Sequence, residues 1–202
     1  MEFAELAGTV VFAISGVIAV AERRIDWFGA IVVGVVAAIG GGTLRDLVLG
    51  QAPVFWIDDM TYLGFAVAGS VIAIPLVARL GPSFRRFEAG LQLADAMGLA
   101  LFAVVGASLT LDLGQSGAVA VTCGIVTGVG GGVIRDLLVG QTPLIMRSEI
   151  YATAALAGTI TFVLLNDTAG LPLWISSIAG MLIVFSLRIA GLRQQWTLPQ
   201  LR

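Results

Sequence analysis

Seven residues, Gly40-Gly41-Gly42-Thr43-Leu44-Arg45-Asp46, return 90 positions later as Gly130-Gly131-Gly132-Val133-Ile134-Arg135-Asp136. Each glycine costs ~1 kcal/mol of helix propensity relative to alanine, so a triplet marks a place where a helix bends or opens. A half-helix ending there would present unpaired carbonyls, about −0.5 of a charge, and would favour cations, although the following half-helix offers the opposite sign. Close packing is the competing reading. Ala30, Gly34, Ala38 and Gly42 form a small-residue stripe, as do Ala120, Gly124, Gly128 and Gly132, and such stripes let helix backbones approach each other. The motif charges are Arg45, Asp46, Arg135 and Asp136. Adjacent residues face different sides of a helix, so each arginine is expected to pair elsewhere than with its own aspartate. An unpaired arginine would oppose a passing cation by ~4 kcal/mol at about 4 Å with an effective dielectric of about 20. Carboxylates or carbonyls should therefore neutralise Arg45 and Arg135, unless they snorkel to lipid headgroups.

The elements that must carry these residues are membrane helices. Hydrophobic residues make up 58 % of 202 positions and charged residues 12 %, against the ~25 % charged that a soluble domain keeps on its surface. Apolar runs lie at 3–21, 27–48, 58–79, 90–111, 117–138, 149–165 and 172–190, each near the ~17–25 residues that span a bilayer. Lipid offers no partner to unpaired backbone groups, and the runs are too uniform for barrel strands. The sequence thus predicts an all-α integral membrane fold with seven transmembrane helices. Trp27, Trp56, Trp174 and Trp196 fall at or just beyond run ends, where an aromatic belt sits. Pro75 is expected to kink the third span.

The 90-residue offset also pairs Gly8 with Gly98, Phe12-Ala13 with Phe102-Ala103, Gly16 with Gly106, Gly34 with Gly124, Gly50-Gln51 with Gly140-Gln141, Pro53 with Pro143, and Glu5 with Asp95. Three spans per copy is an odd number, so the copies must enter the membrane from opposite sides. The expected organisation is a first three-helix repeat over 1–89, a second, inverted one over 90–170, and a seventh helix with a cytoplasmic tail over 171–202. Inverted repeats place a pathway near the bilayer middle. Thr9, Ser15, Ser108 and Thr127 are possible pore-lining polar residues, although membrane Ser and Thr commonly bond their own helix. Glu5, Asp58, Asp59, Asp95 and Glu149 are read at helix starts, where the macrodipole favours carboxylates.

Orientation follows from arginine, because the chain has no lysine. Odd connections and the C-terminal end carry Arg23, Arg24, Arg79, Arg85, Arg86, Arg147, Arg188, Arg193 and Arg202, and the even ones carry none once Arg45 and Arg135 are set aside. Positive charge inside puts the N-terminus outside and the C-terminus in the cytoplasm. The first residues lack the basic flank of a signal peptide, so the first span is expected to remain. Histidine is absent and Cys123 stands alone, which leaves no metal cluster, catalytic triad or disulfide. No phosphate loop or dinucleotide fingerprint is present either. No enzyme activity, cofactor or nucleic-acid partner is expected.

With seven spans, a three-plus-three inverted repeat and Gly-Gly-Gly-x-x-Arg-Asp in both copies, the chain resembles the trimeric intracellular cation channel family in its prokaryotic branch. The resemblance implies a homotrimer in a prokaryotic cell membrane, permeable to potassium and other monovalent cations, with one pore in each protomer. It also implies that Gly40, Gly41, Gly42, Gly130, Gly131 and Gly132 form helix breaks beside that pore. The Lys-Glu-Val phosphoinositide element of animal members is not carried over, since there is no lysine. The family has also been labelled a glycine transporter, and a secondary carrier of a small solute is the alternative function.

Overall fold

The computed structural model describes residues 2–21, 23, 25–80, 84–147 and 150–194, with their side chains except those of residue 80 and residues 84–87. Arg24, Glu149, Trp196, Arg202 and the side chains of Arg85 and Arg86 lie outside the described residues. Every regular element among the described residues is helical. They are α1 (Glu2–Ala19), α2 (Trp27–Val48), α3 (Phe55–Asp58), α4 (Thr61–Leu80), α5 (Phe84–Asp112), α6 (Gly117–Leu138), α7 (Leu144–Arg147), α8 (Ala152–Val163) and α9 (Leu173–Gln194). A π-helical turn over Leu164–Thr168 continues α8.

Six of these helices, α1, α2, α4, α5, α6 and α9, are long and apolar enough to cross a membrane. The chain is an all-helical, multi-pass membrane protein. The sixth expected span is shorter than its apolar run, a 12-residue α-helix plus the π-helical turn. α2 and α6 match their apolar runs residue for residue. α5 starts six residues before its run, because its first turns carry polar residues that hydropathy reads as a connection. Asp95 consequently lies well inside α5, fully buried, and not at a helix start. Arg188 likewise sits inside α9 with no exposure, although the sequence counts it among the connection arginines. α4 runs through Pro75 as one helix.

Helix ends follow local chemistry. The Asp26 carboxylate accepts from Gly29 N at 2.7 Å and caps α2, satisfying a donor that has no helical partner. α2 and α6 end alike. Gly50 and Gly140 take φ of 65° and 68°, the left-handed setting that closes a helix C-terminus. Gln51 N and Gln141 N then return to Asp46 O and Asp136 O, both at 2.8 Å.

α1 packs with α2 and α4, and α5 packs with α6 and α8. The two groups meet where α2 lies against α6 and α1 against α5, while α9 covers α5 and α8. Phe12 and Phe102 stack at the α1–α5 contact with ring centroids 5.4 Å apart. Large apolar side chains such as Ile72 on α4 and Leu182 on α9 point outward, as a lipid-facing surface requires.

Candidate functional site

The glycine triplets do not break their helices. α2 and α6 run uninterrupted through Gly40–Gly42 and Gly130–Gly132, which corrects the expected helix breaks and removes their free carbonyls as a source of cation preference. The glycines instead let two backbones touch. A Cβ on Gly41 would collide with Thr127 O, and one on Gly131 with Ala37 O. Ala37 and Thr127 are themselves 90 residues apart, so the same contact is made once in each direction. Gly40 faces Ile134 and Gly130 faces Leu44, each 2.9 Å from where a Cβ would stand. Without a hydrophobic drive between helices in lipid, such close van der Waals contact is what holds them together. Here it outweighs the weak propensity of the triplets.

The motif aspartates build a corner after each of these helices. Asp46 Oδ2 accepts from Phe55 N at 2.8 Å, and Asp136 Oδ2 accepts from Leu144 N at 2.8 Å. These are the first residues of α3 and α7, whose opening N–H groups need a partner. Held this way, each aspartate offers Oδ1 to its own arginine. Arg45 Nε donates to Asp46 Oδ1 at 2.8 Å, and Arg135 Nε to Asp136 Oδ1 at 2.9 Å. The Nη2 atoms lie 2.7 and 2.8 Å from the same oxygens. Each arginine therefore pairs with its adjacent aspartate, contrary to the face rule, because the long side chain reaches the carboxylate of the next residue. Both guanidiniums are neutralised in the structure.

Beyond that shared unit the two copies differ. Arg135 Nη1 also meets Asp95 Oδ1 of α5 at 3.0 Å and Ser15 Oγ of α1 at 3.0 Å. Arg135, Asp136 and Asp95 have no exposure at all. Tyr151 packs beside them, with the Arg188 guanidinium 4.7 Å from its ring centre and Arg188 Nη1 donating to Ile150 O at 2.9 Å. Arg45, in contrast, has Asp46 as its one ion-pair partner among the described residues and lies 5.6 Å from the Phe55 ring centre. It borders a cavity of ≈ 290 Å³ whose lining includes Glu5, Asp46, Asp58 and Asp112. Four carboxylates against one guanidinium favour a cation there. Glu5, the counterpart of Asp95, accepts from Tyr62 Oη at 2.7 Å instead of from Arg45.

Reading the sequence at the single offset of 90 misses the tyrosines. After Pro53 and Pro143 the second copy is one residue shorter, and an offset of 89 pairs Tyr62 with Tyr151, Ala66 with Ala155, Ala68 with Ala157, Gly69 with Gly158, and Ser70 with Thr159. The fold agrees: Ser70 Oγ donates to Ala66 O and Thr159 Oγ1 to Ala155 O, both at 2.8 Å. Of the polar residues singled out earlier, Thr9, Ser15, Ser108 and Thr127 are all buried. Thr9, Ser15 and Thr127 donate to carbonyls of their own helices, and Ser15 adds the bond from Arg135.

Comparison with known proteins places this geometry. A family model described as "Glycine transporter" matches residues 2–78 and 92–167. The chain is 42 % identical over 197 residues to the inner membrane protein YadS of Escherichia coli K12, covering 96 % of this chain and 93 % of that one. A Bacillus subtilis membrane protein, YvgT, is 32 % identical, covering 98 % and 95 %. Among solved structures, the trimeric intracellular cation channel orthologue from Rhodobacter sphaeroides superposes with a TM-score of 0.89 and 37 % identity, covering 96 % and 97 %. A second, described in terms of conductance through TRIC cation channels, gives a TM-score of 0.84 and 33 % identity, covering 100 % and 97 %. The chain belongs to the prokaryotic branch of the trimeric intracellular cation channel family, whose matching model carries the glycine-transporter description.

Proposed function

We propose that this chain is a channel for monovalent cations, potassium included, in a prokaryotic inner membrane, with a conduction route inside each protomer of a homotrimer. The observation that carries this reading is the 0.89 TM-score over nearly the whole chain to a protein described as a trimeric intracellular cation channel orthologue. The route runs between two inverted three-helix repeats, α1–α2–α4 and α5–α6–α8, with α9 as the seventh span. Three things support the repeat: the reciprocal glycine contacts, the equal roles of Asp46 and Asp136, and matched segments that begin at residues 2 and 92. The glycine-lined α2 and α6 flank the route, and the acidic cavity beside Arg45 is its outer mouth. That cavity replaces helix-break carbonyls as the source of cation preference. No ring of carbonyls like a potassium filter is expected, so discrimination between K⁺ and Na⁺ is weak.

Planar-bilayer recording of the purified protein tests the function. Unitary currents that reverse near the potassium equilibrium potential in a KCl gradient support it, and reversal near the chloride value or silence overturns it. The family description favours a second reading, a carrier of glycine; saturable glycine counterflow without unitary currents would establish that instead. Reporter fusions after Asp112 and after Arg193 test the topology. They should report opposite compartments, the first outside and the second in the cytoplasm; the same compartment for both would refute the inverted repeat.

A further inference from the structure

The two motif copies hold the same four groups, an arginine, its aspartate, a second carboxylate and a tyrosine, in different arrangements. In the first copy the second carboxylate, Glu5, takes its hydrogen bond from Tyr62 at 2.7 Å, and Arg45 has Asp46 as its one ion-pair partner among the described residues, beside a cavity. In the second copy the equivalent carboxylate, Asp95, pairs with Arg135 at 3.0 Å, and the group is sealed. We infer that these are the two settings of one latch, and that the Arg135 side opens when Asp95 leaves Arg135 for the Tyr151 hydroxyl.

The second copy is prepared for that exchange. Asp95 Oδ2 and Tyr151 Oη are both buried and make no hydrogen bond of good geometry, a costly state for polar atoms. Asp95 Oδ1 and Tyr151 Oη each stand 3.1 Å from where a Cβ on Gly132 would be, so a short movement joins carboxylate and hydroxyl. The exchange leaves no bare charge. Arg135 retains Asp136, as Arg45 retains Asp46, and Asp95 trades one charge-assisted bond for another. Releasing Asp95 also removes the ion pair by which Arg135 ties α6 to α5 and leaves Arg135 with Asp136 and Ser15. Two elements have no counterpart in the first copy. Ser15 corresponds to Val105, and Arg188 comes from α9, outside the repeat. Ser15 favours the closed setting, and Arg188 holds the Tyr151 ring in place.

This inference rests on the channel reading, and single-channel recording separates the two. Tyr151→Phe removes the hydroxyl that receives Asp95 in the open setting, so open probability should fall several-fold with unitary conductance unchanged. Tyr62→Phe should also lower it, because Glu5 is then free to pair with Arg45. Adding Glu5→Gln to Tyr62→Phe should restore it, since an amide forms no ion pair; a merely structural tyrosine would not respond to that rescue. If Tyr151→Phe does not assemble as judged by gel filtration, the Tyr62→Phe and rescue pair decides alone. Wild-type currents with unaltered open probability in the tyrosine variants would overturn the latch and leave the channel. A silent wild type would overturn both.

Discussion

Arg45 and Arg135 occupy the same place in the same motif, bring Nε and Nη2 to one oxygen of the following aspartate in the same way, and live in different surroundings. Arg135 is enclosed by Asp136, Asp95 and Ser15 with no exposure. Arg45 is 6 % exposed and looks into an acidic cavity. The shared part is architectural, because each aspartate caps the short helix that follows and fixes the corner of the chain. The unshared part is where function has room to differ. A duplicated motif thus supplies a common frame, and substitutions around it, such as Ser15 against Val105, change which partners each arginine finds.

The largest test of that contrast is to delete each arginine. Arg135→Ala strands two buried carboxylates, and breaking a buried pair costs about 3–5 kcal/mol. Arg45→Ala leaves one carboxylate at the edge of a cavity and should cost clearly less. Thermal melts in detergent would check the order, and equal losses would mean that the surroundings do not matter. The glycine seam makes the opposite forecast. Gly41→Ala and Gly131→Ala should lose similar amounts, about 1–3 kcal/mol from overpacking, because each meets a carbonyl in the reciprocal position. Gly64→Ala, with nothing within 4 Å of its Cβ position, should lose none, and a strongly unequal pair at the seam would break the two-fold relation. Next is Ser15→Ala, which removes one hydrogen bond to a charged group and should cost about 1.5 kcal/mol, while raising open probability if it loosens Arg135. The smallest effect belongs to the cavity rim. Asp112→Asn should reduce unitary current in about 0.01 M KCl, where screening reaches ~30 Å, and have no effect near 1 M, where it reaches ~3 Å.

Much of this fold is legible in the residues, and the failures have physical causes. α2 and α6 announce their ends because apolar runs meet Asp26, Gly50, Ser116 and Gly140 abruptly. α5 does not, since its first turns are polar and emerge from the apolar layer without ceasing to be helical. The glycine triplets are visible as a feature, but propensity describes an isolated helix, and the deciding term is a partner backbone that only the fold supplies. The same holds for the arginines: residue spacing does not reveal that each aspartate is already turned by a helix N-terminus eight or nine residues ahead. Tyr62 and Tyr151 were within reach of sequence, hidden by one missing residue in the loop between the motif and the next span. Arg188 had no sequence signal to separate it from an interfacial arginine.

The seam between α2 and α6 also bears on how the chain is made. Gly41 and Gly131 complete one another across 90 residues of sequence, so the first helices to leave the ribosome carry a bare groove whose filling has yet to be synthesised. At ~5–20 residues per second that interval lasts roughly 5–20 s, during which the groove is open to lipid or to a helix of another protein. Residues 2–80 should therefore present a ready-made docking face and capture residues 84–194 supplied as a separate polypeptide in the same membrane.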